Sequence, residues 1–130
     1  MTNGPIKAAG EGTRGAYALL DFVVPPEDKA PAPHVHRRTG EAFYVIEGTL
    51  KIRLDDEHRL ATPGSFIFVP PGVVHTFAVE GHVPARFLVI LSPPELLDFF
   101  RDMYGLPPAA RSGGPYDIEI MDKDDGVERF

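Results

Sequence analysis

Five of the 130 residues are histidines, and three of them fall in a pattern that can hold a metal. His34 and His36 flank Val35, Glu41 follows after a short break, and His75 opens a later apolar run. Two histidines at i and i+2 of an extended chain point to the same face. Glu41 begins one strand and His75 begins another, so in a closed barrel all three places converge on one interior point. Three imidazoles and one carboxylate suit Fe, Mn, Ni, Cu or Zn. The expectation is one divalent transition metal per chain, held by His34, His36, Glu41 and His75. Four protein ligands on an octahedral ion leave two positions for water, dioxygen or a substrate oxygen. Cysteine is absent, which excludes thiolate ligands, disulfides and Cys nucleophiles.

The elements that must carry these ligands read as short strands. Thirteen glycines and fourteen prolines argue against long helices and for strands joined by tight turns. Strands are expected at 16–24, 42–47, 49–54, 59–62, 65–69, 75–79 and 86–91. Gly48 reads as a hairpin turn, and Pro70-Pro71-Gly72 as the turn that aims His75. Residues 1–15 read as a flexible arm and 16–92 as an all-β barrel. A helix over 93–105 is expected to start with Ser92 as N-cap and Pro93 at its first position. Gly105 and Pro107-Pro108 are its stop signals. Its stripe of Leu96, Phe99, Phe100, Met103 and Tyr104 reads as packing against the barrel or a partner subunit. Residues 106–130 read as a polar tail, in which 117–121 is an edge strand or a short helix.

The spacing resembles the two motifs of the cupin superfamily. The first, HxH-x4-E-x6-G, is matched by His34, His36, Glu41 and Gly48. The second, G-x5-PxG-x2-H-x3-N, is matched by Gly64, Pro70, Gly72 and His75, with Val79 in place of the final Asn. Asp28 stands where a glycine can precede the first motif. Neither departure falls on a ligand. The resemblance spans roughly 16–91. It implies an antiparallel β-barrel of the double-stranded β-helix, or jelly-roll, type with the metal inside. It also implies a homodimer, with which edge strands and the apolar strand 86–91 are compatible. The helix is similar to the C-terminal helix of small quercetinase-like cupins.

Strand parity then outlines a pocket. With Glu41 inward, Phe43 and Val45 are inward. With His75 inward, so are Phe77 and Val79. Phe66 and Phe68 share one side of their strand and are assigned to the same apolar pocket. The functional expectation is a metalloenzyme acting on a small, mostly apolar, oxygen-bearing substrate. Its specific form is a quercetinase-like dioxygenase with Glu41 as proton acceptor. A polyketide cyclase or isomerase working without dioxygen is the first alternative, and a non-catalytic ligand-binding cupin the second. The net charge of −6 and scattered Lys and Arg argue against nucleic acid. No run approaches about 18 apolar residues, so no membrane span is expected. The polar N-terminus lacks an apolar signal region, giving a cytoplasmic expectation.

Overall fold

The apolar runs punctuated by Gly and Pro fold as short antiparallel strands. The computed structural model describes residues 5–104 and 116–121. In chain order the strands are β1 (Ile6–Ala8), β2 (Ala18–Val24), β3 (His34–Val35), β4 (Gly40–Glu47) and β5 (Leu50–Leu54). Then come β6 (Glu57–Ala61), β7 (Phe66–Val69), β8 (His75–Val79) and β9 (Ala85–Ser92). A 3₁₀ turn (Pro94–Leu96) leads into helix α1 (Leu97–Tyr104), and β10 (Glu119–Ile120) follows. One sheet has the order β1-β2-β9-β4-β7 and the other β10-β3-β8-β5-β6. Alternate residues of both sheets meet in one core, with Phe43, Val45, Phe87 and Val89 against Leu50 and Ile52. This is the expected all-β jelly roll with one C-terminal helix.

Parity is borne out where a strand has one apolar face. Phe43 and Val45 are buried beside Glu41, as are Leu50, Ile52 and Leu54 on β5. Phe66 and Phe68 are a correction: they are 59% and 50% exposed on the outer face. The β4–β7 register sets this, because Phe68 pairs with Ala42 and Phe66 with Tyr44, while Ile67 and Val69 take the inner positions. Neither phenylalanine belongs to the pocket.

Other expectations shift for similar reasons of pairing. Gly48 is not a hairpin turn, since β4 and β5 lie in different sheets and the chain crosses between them there. The tight hairpin joins β5 and β6 through Asp55-Asp56. Ser92 is not a helix cap: it pairs with Gly40 as the last residue of β9, and its hydroxyl donates to the Ala16 carbonyl at 2.9 Å. The apolar β9 is a central strand between β2 and β4, so it offers no edge to another subunit. The N-terminal arm contains β1, which pairs with β2. The expected stop at Gly105 and Pro107-Pro108 lies outside the described residues.

Gly48 has φ +75°, and a Cβ there would collide with the Pro84 carbonyl oxygen and lie 2.7 Å from Ala85 Cα. Both obstacles are backbone and cannot swing aside. Gly48→Ala is therefore expected to destabilise the fold by about 2–3 kcal/mol. The urea midpoint should fall with little change in slope, whereas an unchanged midpoint would contradict this account.

Candidate metal centre

Three elements bring the four sequence-predicted ligands together. His34 and His75 are direct cross-strand partners on β3 and β8, with ring centroids 4.3 Å apart. His36 lies just beyond β3, its ring 5.0 Å from that of His75. Glu41 reaches in from β4 of the facing sheet. All four are buried, and one ligand atom from each lies within 4.8 Å of all the others. The turn before His75 is pinned on both sides. Gly72, at φ +89°, donates its N–H to the His36 carbonyl at 2.7 Å. Asp55 N–H donates to the Val74 carbonyl at 2.7 Å, and the Asp55 carboxylate accepts from Val74 N–H at 3.1 Å.

Each imidazole is also held from behind. Nδ1 of His34 lies 2.9 Å from the Ala32 carbonyl, Nδ1 of His75 2.9 Å from the Val73 carbonyl, and Nδ1 of His36 2.8 Å from the Asp117 carbonyl. A carbonyl only accepts, so each Nδ1 carries the hydrogen and each Nε2 is left with its lone pair. Nε2 of His36 and of His75 then face Glu41 Oε1 at 3.3 and 3.1 Å. Acceptors this close repel unless a proton or a metal cation lies between them. His36 Nε2 is buried and, among the described residues, has no well-aligned hydrogen-bond partner. Carbonyl-braced imidazoles with free, converging Nε2 atoms beside a carboxylate are what a metal ion requires. The residues therefore fit a metal.

The protonation of the metal-free cluster follows from burial and proximity. Burial, aided by the charge of His75, pushes the His34 imidazole down from 6.5 to about 4. Burial also opposes charge on His36, but the Glu41 carboxylate beside it and the Asp117 carbonyl outweigh that and raise it. Burial alone would raise Glu41, yet His36 and His75 together hold it well below the usual carboxylate range.

The cupin domain family matches residues 20–91. The chain is a cupin. It is 27% identical over 125 residues to quercetin 2,3-dioxygenase of Bacillus subtilis, covering 96% of this chain and 34% of that protein. It is 34% identical over 67 residues to the tetracenomycin polyketide synthase protein TcmJ of Streptomyces glaucescens, covering 48% of this chain and 45% of that one. The cupin thus spans about a third and about half of these relatives' lengths. A solved cupin-like protein of Thermotoga maritima superposes with a TM-score of 0.60 at 19% identity, covering 68% of this chain and 65% of that one.

The ligand cluster opens into a cavity of about 700 Å³ through His34 and Glu41. Of the expected pocket residues, Phe43 and Phe77 line it, while Val45 and Val79 are buried in the core outside its lining. The sequence reading missed Phe22 and Phe87, which line it from β2 and β9. It also read Phe99, Phe100 and Met103 of α1 as packing alone, whereas all three line the cavity and only the two phenylalanines also pack on the core. Ile118 and Ile120 close another side. Asp28 and Lys29, both exposed, add charge to its lining beside Glu41. No helix among the described residues is long and apolar enough to cross a membrane.

Proposed function

We propose that this cupin is a metal-dependent enzyme for a small, mostly apolar, oxygen-bearing organic substrate, in the specific form of a quercetinase-like dioxygenase. The observation that carries the proposal is the union of the His34, His36, Glu41, His75 cluster with an aromatic cavity of about 700 Å³, a size that holds a compact organic molecule. One divalent metal per chain would supply Lewis-acid and redox chemistry there. Phe43, Phe77, Phe87 and Phe22 would flank a flat substrate and exclude water. Only His34 and Glu41 of the cluster line the cavity, so a substrate oxygen approaches on their side. Glu41 lines the cavity and would be the group placed to take a substrate proton.

The likeness to the polyketide synthase protein supports a second reading, a cyclase or isomerase that uses the same cavity without dioxygen. Oxygen-electrode traces with flavonols and 1,3-diketones discriminate between them. Protein reconstituted with Mn, Fe, Ni, Cu or Zn in turn is expected to consume dioxygen with at least one substrate. Product formation without dioxygen uptake would assign the cyclase reading. Binding without turnover would leave a ligand-binding cupin.

A further inference from the structure

The three imidazoles are braced differently. The acceptors for His34 and His75 are carbonyls two residues earlier, Ala32 and Val73, supplied by the same strand entry. The acceptor for His36 is the Asp117 carbonyl, 81 residues away. Asp117 is itself fixed on the loop that follows His36. Its carboxylate accepts from Arg37 N–H at 2.9 Å, Arg38 N–H at 2.9 Å and the Thr39 hydroxyl at 2.7 Å. Thr39 is 3% exposed, so its hydroxyl bond is the sheltered part of an anchor whose two backbone bonds lie at the surface.

The neighbours of Asp117 alternate. Glu119 forms a two-point pair with Arg37, at 3.2 and 3.1 Å, on the Asp117 side. Ile118 and Ile120 face the cavity. Glu119 and Ile120 pair with Val35 and His34, and Met121 N–H donates to the Pro33 carbonyl at 2.8 Å. At the other end the Tyr116 ring packs on Phe99 at 5.7 Å, and its hydroxyl bonds Asp102. One strap thus touches His36, the strand that carries His34, and the helix that walls the cavity.

We propose that the segment 116–121 is a working part of the metal site, with Asp117 as the residue that positions His36. The carboxylate of Asp117 clamps the loop 37–39, and this clamp holds its own carbonyl against His36 Nδ1. That fixes the ring plane and leaves Nε2 aimed at the centre. Removing the carboxylate frees the strap and lets the ring turn, although no ligand has been deleted. The inference rests on the metal reading of the cluster, so its test includes a readout that needs no metal.

In the metal-free 130-residue chain, well above the imidazole titration range, ¹⁵N-resolved NMR should show His36 as the Nδ1–H tautomer with a protected proton. Asp117→Ala should lose that protected signal while the His34 and His75 signals persist. Co²⁺ affinity, read by chelator competition and by the visible ligand-field spectrum, should fall roughly 10-fold or more, as for loss of an outer-shell partner. Asp117→Asn keeps one acceptor oxygen and should fall between parent and Ala, which also serves if the Ala variant folds poorly. Glu119→Gln weakens only the exposed pair and should stay near the parent. An unchanged His36 signal, or Asp117→Ala and Asp117→Asn both binding Co²⁺ within about twofold of the parent, would overturn the proposal. A parent that binds no Co²⁺ yet shows the braced tautomer would overturn the metal reading, and with it the role of the strap in metal binding.

Discussion

His75→Ala is expected to leave the protein nearly metal-free. The parent should retain roughly one transition metal per chain after dialysis, and the variant less than about a tenth of that. The imidazole is 1% exposed, is directed by the pinned turn after Pro70, and faces both Glu41 and His34. Its loss removes one of the four expected ligands and the partner of a buried carboxylate. Affinity should fall by about 100-fold or more, since losing an outer-shell partner alone costs roughly 10–100-fold. His82→Ala, in an exposed turn, is the control and should keep its metal. Elemental analysis checks both, and equal metal in His75→Ala and parent would remove His75 from the site.

The second large effect is acid sensitivity of the metal-free protein. The unfolded chain protonates His34 near 6.5, whereas the folded protein resists until about 4, chiefly because the ring is buried. Between these values the unfolded state binds more protons, so stability falls as pH falls. The loss is on the order of 3 kcal/mol. Glu41 acts in the same direction at lower pH: its folded value is depressed, so its contribution holds above its unfolded value and disappears on acidification. His36 has the opposite sign. Its raised value stabilises the fold fully below 6.5 and fades as pH rises through that raised value. Stability of the metal-free protein should therefore peak near pH 6.5 and drop towards 4. Urea midpoints with chelator present measure this, and equal midpoints at pH 6.5 and 4 would contradict it. Saturating metal should flatten the acid limb, because ligated imidazoles must release metal before they take protons.

The clustering of His34, His36, Glu41 and His75 was readable because it depends on strand parity and on turns. His34 and His36 need only the two-residue repeat of an extended chain, and Gly72 and Pro70 mark the turn before His75. Phe66 and Phe68 were not readable, since FIFV is apolar on both parities and only its register against β4 chooses the inner pair. The double duty of Phe99 and Phe100 was hidden because an apolar helix stripe looks the same over a filled core and over a cavity. Asp117 was hidden for a different reason: its partners are Arg37, Arg38 and Thr39, about 80 residues away, and no local pattern reports such a contact. The alternation of Asp117, Ile118, Glu119 and Ile120 was its one visible trace.

The position of β10 has a consequence for solubility. Without it, β3 would be the outermost strand of its sheet, with unpaired backbone groups beside a buried histidine cluster. Such a bare edge is a template on which another chain can add a strand. The Met121 and β10 hydrogen bonds occupy that template, and the Arg37–Glu119 pair places charge over it. The strap that braces His36 therefore also guards the sheet against edge-to-edge aggregation.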